Sequence, residues 1–375
     1  MENLEIENSY EGLYSDKTVL ITGHTGFKGS WLANWLISLG AKVVGFSLEA
    51  QTNPNHFDLL GLEKKMTHII GDVRDKDTLL KVFNTYKPTL VFHLAAQALV
   101  RPSYDLPLET FSINLMGTAN LFECVRQCDF VLGIVNVTSD KCYENFEDDR
   151  AYNEKDRMGG YDPYSASKGG AELIANSFRS SFFNPAEYGK SHTKILASVR
   201  AGNVIGGGDW SKDRLIPDIV KSVSQNLVTS IRSPLATRPW QHVLEPLSGY
   251  LQIGQHILEG NVEVSEAWNF GPDNSATMTV GDVIKLAASN WDKIKFQLHE
   301  PKNKPHEANL LRLDCEKAKQ ELNWYSVWGA KETVERTIKW YKSFYLQKQI
   351  STEEDLMDYT SDAKSKGLKW AINDI

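Results

Sequence analysis

Apolar and polar positions follow two alternating patterns over the first half of the chain. Short apolar runs, each typical of a buried strand, begin at residues 17, 41, 67, 89, 131 and 194. Helical patterns lie between them; the segment 30–40, for example, places apolar residues at helical spacing and ends at Gly40, a common helix C-cap residue. This alternation predicts right-handed crossovers and a parallel sheet that is covered on both faces.

The pattern changes after Gly206. Loops lengthen, Trp and Pro cluster at 233–246, and only short helical segments follow. We therefore expect an α/β fold with a Rossmann-type doubly wound parallel sheet and a smaller C-terminal substrate-binding region that does not continue the sheet. The expected units are 1–205 for the sheet and catalytic residues, 206–350 mainly for substrate binding with some segments able to return to the first unit, and 351–375 for a C-terminal tail, helical or partly frayed.

A glycine-rich turn joins the first predicted strand to the first predicted helix, with glycines at Gly23, Gly26 and Gly29. Residues without a Cβ let a pyrophosphate approach the backbone, and the helix N-terminus offers free N–H groups and the positive end of its dipole. A glycine trio alone is weak evidence, but this position favours a dinucleotide site. The other members of the turn are His24, Thr25, Phe27 and Lys28. The histidine and the lysine could either touch phosphate or face solvent.

Two residues further along the chain could form a proton-transfer pair. Tyr164 and Lys168 are four residues apart and would share one face of a helix, where the ammonium would lower the pKa of the phenol and make it a better base. Upstream, Thr138 is expected at the carboxyl end of a strand, where α/β sheets bind ligands. Strand alternation would place Thr138 and Asp140 on one side and Ser139 on the other.

The glycine turn, the threonine at a strand end and the Tyr-x-x-x-Lys pair, in this order, resemble the extended short-chain dehydrogenase/reductase superfamily. The resemblance implies an NAD cofactor on the glycine turn, with Lys168 at the nicotinamide ribose and Asp72 and Val73 at the adenine; Asp72 could also be a helix N-cap. It also implies that small residues after the fourth strand, namely Leu94, Ala95, Ala96 and Gln97, lie along the cofactor. The second strand is followed by Glu49 and by no cation that would hold a 2′-phosphate, so NAD is favoured over NADP.

Asp140 and Lys141 favour one chemistry within that superfamily. An epimerase only oxidises and reduces carbon 4 of a nucleotide sugar, whereas a 4,6-dehydratase also needs an acid and a base beside the threonine. The blocks around Thr138 and Tyr164, together with RAGNVIGGGDW from Arg200 and RPWQHVLEP from Arg238, resemble the nucleotide-sugar 4,6-dehydratases that act on CDP-glucose. Relatives that act on dTDP-glucose usually carry Asp-Glu in place of Asp140-Lys141.

This resemblance implies a role for each catalytic residue. Tyr164 would take the proton of the 4-hydroxyl, Thr138 would orient that hydroxyl, and Asp140 would protonate the departing 6-hydroxyl. Lys141 would remove the proton on carbon 5 if it is partly neutral, or would otherwise stabilise the enolate. The expected product is a 4-keto-6-deoxy sugar, which would feed deoxysugar synthesis, usually for surface polysaccharide such as lipopolysaccharide O antigen.

Four residues are candidates for binding the substrate. Asn203, at the end of the strand that begins at 194, commonly meets the diphosphate in the family, and Arg238 is suited to bidentate phosphate binding. Arg214 and His242 are further candidates, for which a surface ion pair or a loop hydrogen bond is an equal alternative.

Composition narrows the remaining possibilities. A formal net charge of −7 disfavours non-specific binding to nucleic acid or to an anionic membrane. The four cysteines fit no zinc spacing, so we expect reduced thiols and no metal. The first 16 residues lack the pattern of a secretory signal, and no apolar stretch reaches the roughly 18 residues of a membrane span, so a cytoplasmic protein is expected.

The resemblance also implies a homodimer, in which the helices near 110–124 and after Tyr164 pair across a two-fold axis, and dimers could pair into tetramers. The alternatives that stay open are a dehydratase for dTDP-glucose or GDP-mannose, a nucleotide-sugar 4-epimerase, and a non-catalytic NAD-sensing protein. An activated tyrosine has little use in a sensor.

Overall fold

The computed structural model describes residues 6–146, 150–231, 233–273, 277–298 and 311–372. Seven parallel strands form its central sheet, in the order β3-β2-β1-β4-β5-β7-β12. These strands are β1 (Thr18–Thr22), β2 (Lys42–Ser47), β3 (Thr67–Ile70), β4 (Leu90–His93), β5 (Gly133–Val137), β7 (Ile195–Ala201) and β12 (Ala267–Phe270). The strand order reverses between β1 and β4, and the carboxyl ends of the strands at such a point form the usual ligand crevice. The expected doubly wound parallel sheet is confirmed.

Within the described ranges, eight short strands pair outside the sheet, namely β6 (Ala151–Tyr152), β8 (Val204–Ile205), β9 (Thr229–Ile231), β10 (Thr237–Pro239), β11 (Gln241–His242), β13 (Thr277–Thr279), β14 (Phe296–Leu298) and β15 (Arg312–Leu313). The pairs are β10 with β13, β8 with β11, β9 with β14, and β6 with β15, of which only the first is antiparallel. Each of these strands has two or three residues, so they join loops to one another without building a second large sheet.

The helices of the first half are α1 (Phe27–Ser38), α2 (His56–Leu59), α3 (Lys76–Tyr86), α4 (Val100–Asp105), α5 (Pro107–Phe111), α6 (Gly117–Arg126) and α7 (Pro163–Ser181), with a π-helical turn (Ser112–Met116) between α5 and α6. The second half contains α8 (Leu215–Ser224), α9 (Leu244–Leu258), α10 (Val280–Asn290), α11 (Glu316–Leu322), α12 (Ala330–Gln347) and α13 (Thr352–Ser365). None of the described helices is long and apolar enough to cross a membrane.

Buried side chains cover both faces of the sheet. On one face, Trp31 and Trp35 of α1 pack with Leu247 and Tyr250 of α9. On the other face, residues of α3, α6 and α7 pack against β1, β2 and β4. Every residue of β5 and β7 is buried. This burial explains why central strands of a parallel sheet read as nearly continuous apolar runs in the sequence.

The chain after Gly206 departs from one expectation, because it returns to the sheet. β12 pairs in parallel with β7, Ala267 opposite Ser198 and Phe270 opposite Ala201, and α9 packs against the same strands. No strong sequence signal marks β12, since a four-residue strand is too short to show a period. The helices α8, α10 and α12 form a separate core with Trp240 and Trp291.

The C-terminal segment is held in place by aromatic residues. After α13, Trp370 stacks on Tyr10 with ring centroids 5.1 Å apart and on Tyr359 with centroids 6.0 Å apart. All three rings are buried, so the two ends of the described chain pack together over α1.

Candidate active site

The glycine turn forms a narrow backbone passage between β1 and α1. Gly23 has φ +79°, and a Cβ there would lie 2.8 Å from the Ala95 nitrogen. A Cβ on Gly29 would lie 2.1 Å from the Gly23 oxygen, whereas one on Gly26 would come no closer than 3.4 Å to any atom. Gly26 is also the N-cap of α1, and no side chain caps this helix. The turn therefore packs tightly against the protein at Gly23 and Gly29 and leaves room at Gly26. Together with the uncapped N–H groups of α1, this arrangement suits the pyrophosphate of a dinucleotide.

The two polar side chains of the turn have different surroundings. The His24 ring is buried against β2 and β3, where its Nε2 lies 2.6 Å from His68 Nδ1, and burial lowers the pKa of His24 to about 3. The imidazole is therefore neutral and engaged within the fold, which leaves only the His24 backbone for contact with a phosphate. The hydroxyl of Thr25 hydrogen-bonds Ser47 and the Leu48 oxygen, which ties the turn to the end of β2.

Lys28 points instead toward the residues expected to be catalytic. Its Nζ donates to the Tyr250 hydroxyl at 3.3 Å. It also interacts electrostatically with Arg214, Lys168 and Asp140. Burial, with the two neighbouring cations, lowers the pKa of Lys28 to about 7. Tyr250, fully buried on α9, was not anticipated from the sequence, because an aromatic residue on an apolar helix reads as core.

The other expected cofactor residues lie along the same edge of the sheet. The Asp72 carboxylate pairs with Arg74, whose hydrogen bonds lower the pKa of Asp72, and Val73 is buried under Gly117. After β4, Leu94 and Ala95 are bonded through their backbone to Thr22, and Ala96 follows them. The Gln97 nitrogen donates to Asn114, whose amide also reaches Ser167 on α7. These hydrogen bonds connect the edge of the sheet to α7, the helix that carries Tyr164 and Lys168.

Tyr164 and Lys168 occupy the first turns of α7. Asp162 caps this helix by accepting hydrogen bonds from the Ser165 nitrogen and hydroxyl, and Pro163 takes the first helical position. Lys168 Nζ donates to the Val137 oxygen at 3.3 Å. Burial lowers the pKa of Lys168 to about 8 and raises the pKa of Tyr164 to about 12.

The position of Thr138 differs from the expectation. Its hydroxyl donates to Glu172 at 2.5 Å, on the side away from the tyrosine. Ser139 takes the expected place, since it acts on Tyr164 and lowers the pKa of the phenol, while its hydroxyl donates to Asp140 Oδ1 at 2.9 Å. The expectation assumed that strand alternation continues, but β5 ends at Val137 and Ser139 is the N-cap of a 3-10 turn (Asp140–Cys142).

Asp140 is a buried carboxyl at the centre of the site. Burial raises its pKa, while Lys141, the Ser139 hydroxyl and Arg238 oppose part of that rise. Lys141 lies in the same 3-10 turn and is half-buried. A Cβ on Gly202 would lie 3.1 Å from Asp140 Oδ2, so a larger residue at this position would crowd the carboxyl. Gly202 also lines a small cavity with Pro239, Gly271, Pro272, Asp273, Arg312 and Leu313.

A buried ion pair behind the site was missed at the level of sequence. Arg200 of β7 holds Glu172 of α7 with two hydrogen bonds of 2.8 and 2.9 Å, and both side chains are 4% exposed. Arg200 also donates to the Tyr143 hydroxyl, which in turn donates to Asn269 of β12. The available signals were an arginine inside an apolar strand and a glutamate one helical turn after Lys168.

The four substrate candidates do not all reach the site. Arg214 is held by Asp209 at 3.0 Å and acts electrostatically on Lys28 and Tyr164, and Arg238 acts on Asp140. Asn203 lies just after β7, and its backbone oxygen accepts a hydrogen bond from the backbone nitrogen of Gln241. His242 departs from the expectation: its ring is fully buried against Trp31 and Trp328, and burial lowers its pKa to about 3. It is therefore a core residue.

The fold and this cluster define a short-chain dehydrogenase/reductase of the extended type, with a doubly wound sheet, a glycine turn at β1 and a serine, tyrosine and lysine at the carboxyl edge. Residues 20–337 match the family model described as GDP-mannose 4,6 dehydratase. The chain belongs to this family.

Individual relatives agree with that assignment. CDP-glucose 4,6-dehydratase of Salmonella typhimurium is 49% identical over 353 residues, which cover 94% of this chain and 98% of that protein. Among solved structures, dTDP-glucose 4,6-dehydratase from Bacillus anthracis in complex with NAD has a TM-score of 0.72 at 20% identity, with 87% of this chain and 97% of that one covered. UDP-glucose 4-epimerase from Thermus thermophilus in complex with NAD has a TM-score of 0.73 at 22% identity, covering 87% and 99%. These two structures show the fold.

Proposed function

We propose that this protein is an NAD-dependent CDP-glucose 4,6-dehydratase, which converts CDP-glucose to CDP-4-dehydro-6-deoxyglucose and water. The observation that carries the reaction type is the position of Asp140, a buried carboxyl whose pKa is raised and whose charge acts on Tyr164. A 4-epimerase needs no second acid at this place. The choice of CDP-glucose rests on the relative from Salmonella typhimurium, which is nearly as long as this chain and half identical to it.

The cofactor has a site that suits it. Gly23, Gly26 and Gly29 would hold the pyrophosphate of NAD, with Asp72 and Val73 near the adenine and residues 94–97 along the rest of the molecule. When bound there, NAD would supply the hydride acceptor for oxidation at sugar carbon 4 and the hydride donor for reduction at carbon 6. Lys168 would hold the nicotinamide ribose, and its charge favours an electron-rich phenol oxygen on Tyr164.

The protein side chains would manage the protons. Tyr164 accepts the proton of the 4-hydroxyl, and Ser139 orients that hydroxyl in the role first expected of Thr138. Lys141 either removes the proton on carbon 5 or stabilises the enolate that forms, and Asp140 gives a proton to the departing 6-hydroxyl. Arg214, Arg238 and Asn203 are the candidates for the diphosphate; both arginines act on the catalytic residues through their charge.

We also propose a cytoplasmic homodimer. Leu108 of α5, Met116 of the π-helical turn and Leu173 of α7 are 83%, 56% and 61% exposed. Apolar residues on neighbouring helices indicate a surface that a second copy could cover. These are the helices expected to pair across a two-fold axis.

The test is turnover with matched nucleotide sugars. Purified protein is incubated with CDP-glucose and, in parallel, with dTDP-glucose, UDP-glucose and GDP-mannose, with and without added NAD, and the products are read by proton NMR. The expected result is a new carbon 6 methyl signal from CDP-glucose, which Asp140→Asn abolishes. A methyl signal from another nucleotide alone would retain the reaction and reject the CDP assignment. Inversion at carbon 4 without a methyl signal would show an epimerase, and no turnover with any sugar would reject the enzyme.

A further inference from the structure

The two long polar side chains of the glycine turn contact different halves of the sheet. The His24 ring lies against β2 and β3, next to Gly45 and His68. Lys28, in the first turn of α1, contacts α9 instead: its Nζ donates to the Tyr250 hydroxyl at 3.3 Å and lies 5.4 Å from the centre of that ring. Helix α9 packs against β4, β5, β7 and β12. The lysine charge therefore lies on the half of the sheet that continues from β4, away from β2 and β3.

The two halves would receive different parts of the cofactor. In the proposed site, the pyrophosphate lies on the glycine turn, the adenine lies near Asp72, and the nicotinamide ribose lies by Lys168. Lys168 Nζ donates to the Val137 oxygen at the end of β5. Lys28 interacts electrostatically with Lys168 and with Asp140, which follows β5. Together with the contact to α9, these interactions indicate that the charge of Lys28 lies at the nicotinamide end of the site.

The nicotinamide ring changes its charge in the proposed reaction. The ring is positive in NAD and neutral in the reduced form, NADH. In the oxidation at carbon 4, the C–H bond breaks and its two electrons go with the hydrogen to the ring, while Tyr164 takes the proton of the 4-hydroxyl. A nearby ammonium repels the positive ring but not the neutral one, so it favours the reduced form.

We propose that Lys28, held by Tyr250, shifts the bound cofactor toward its reduced form and thereby favours oxidation of the sugar at carbon 4. This inference rests on the proposed function, since it uses the proposed cofactor site and the proposed first step. Lys28 acts through its charge and exchanges no proton with the sugar.

The charge of Lys28 is not neutralised by a bonded carboxylate. Among the residues that the structure describes, its hydrogen-bond partner is the Tyr250 hydroxyl, whereas Arg214 is paired with Asp209 at 3.0 Å. Tyr250 is fully buried, and burial raises the pKa of its phenol, which is therefore neutral. An ammonium on a neutral partner acts more strongly on a third charge than an ion pair does, because the two charges of a pair oppose each other.

The surroundings of Lys28 link its protonation to the state of the cofactor. Burial and the cations Arg214 and Lys168 lower the pKa of Lys28 to about 7, although Asp140 opposes part of that change. The ammonium therefore predominates below pH 7 and is lost as the pH rises through that value. Removal of a positive charge from the crevice stabilises this ammonium, so reduction of the cofactor and protonation of Lys28 favour each other.

The test compares the affinities of the protein for NADH and NAD in the absence of sugar. Protein is equilibrated just below pH 7 with mixtures of the two nucleotides, free nucleotide is removed by rapid desalting, and the bound forms are extracted and measured by chromatography. Lys28→Met removes the charge at similar side-chain length. It should lower the NADH-to-NAD affinity ratio by about 10-fold, the order expected for one unit charge in a partly buried site. Lys28→Arg keeps the charge and should retain the wild-type ratio.

Two further variants separate the charge from its position. Lys42→Met is the matched control: Lys42 begins β2, at the opposite end of the strand from the glycine turn, and pairs with Asp16 at 2.9 Å. The same loss of charge there should leave the ratio unchanged. Tyr250→Phe removes the hydrogen bond to Lys28 but not the charge, so it should lower the ratio by less than Lys28→Met does. A general loss of stability cancels, because each ratio is measured within one variant.

Two results would overturn the inference and leave the proposed function intact. One is an unchanged affinity ratio in Lys28→Met. The other is an equal loss of affinity for both nucleotides, which would mean that Lys28 binds a group that they share, such as the pyrophosphate. A wild type that binds neither nucleotide would reject the cofactor site, and the inference with it. A wild type that binds both but forms no methyl product from any nucleotide sugar would reject the proposed function.

Discussion

At the scale of single residues, burial controls the chemistry of the site. Tyr164, Lys168 and Asp140 each keep 7% of their surface exposed. Desolvation raises the pKa of Tyr164 and of Asp140 and lowers that of Lys168, so that the neutral form of each group is favoured. The sequence had suggested that Lys168 lowers the pKa of Tyr164, but burial raises that pKa to about 12, and Ser139 and Arg214 oppose the rise. Hydrogen bonds and nearby charges therefore have to supply the proton affinities that catalysis needs.

Lys168 predicts a pH dependence. Its pKa is lowered from 10.5 to about 8, so its ammonium is present below that pH and is lost as the pH rises through it. Turnover should fall above pH 8, because the positive charge beside Tyr164 disappears. Lys168→Arg should turn over more slowly but move the fall to higher pH, since arginine keeps its charge to above about 12. The measurement is the pH profile of kcat, and an unchanged alkaline fall in the arginine variant would assign it to another group.

At the scale of elements, one buried ion pair joins the strands and the helix that carry the site. Glu172 of α7 binds Arg200 of β7 and accepts the Thr138 hydroxyl at the end of β5. The chain of hydrogen bonds continues through Tyr143 to Asn269 of β12. The position of α7, and with it that of Tyr164 and Lys168, therefore depends on this pair.

Glu172→Gln should strongly destabilise the fold, because it leaves the Arg200 charge buried without its partner. The expected loss in the free energy of unfolding is about 3–5 kcal/mol. Glu123→Gln is the matched control, since Glu123 pairs with Arg126 on the partly exposed surface of α6, where an ion pair contributes about 1 kcal/mol or less. Urea denaturation followed by fluorescence compares the two variants, and similar small shifts in both would contradict the importance given to the buried pair.

At the scale of the whole molecule, the crevice is enclosed by segments far apart in sequence. The sheet contributes the glycine turn and the residues after β4 and β5, α9 contributes Tyr250, and the loop before β10 leads to Arg238. The helices α6 and α7 pack on the face of the sheet opposite α1 and α9, and the exposed apolar residues lie on α5, on α7 and on the π-helical turn between α5 and α6. Substrate binding and association of two copies would thus use different sides of the molecule.

The proposed dimer can be tested by a charge on that surface. Leu173→Glu should convert a dimer into a monomer, because assembly would bury the carboxylate without a partner. Leu235→Glu is the control, an equally drastic change at a residue that is 80% exposed in the loop before β10. Sedimentation velocity would give the masses, and a wild type and Leu173→Glu variant of equal mass would reject this surface as the dimer interface.

Much of the fold and part of the site could be predicted from local signals. The apolar runs marked six of the seven strands, and the glycine turn and the Tyr-x-x-x-Lys pair were recognisable from their spacing. β12 was missed because it is short and is defined by its pairing with β7. His242 was considered for the site because it is a polar residue beside a tryptophan. Nothing in the neighbouring sequence indicates that its ring is buried.

The sequence by itself determined the alternation of strands and helices, the position of the glycine turn and the residue types available for proton transfer, since these depend on local periodicity and local chemistry. Only the tertiary structure decided which of two adjacent hydroxyls faces Tyr164, that Lys28 reaches toward Asp140, and that Glu172 and Arg200 meet inside the protein. The physical reason is that the direction of a side chain depends on where β5 ends, and its burial depends on which other elements pack against it. A pattern along one segment contains no information on what the other segments bring to it.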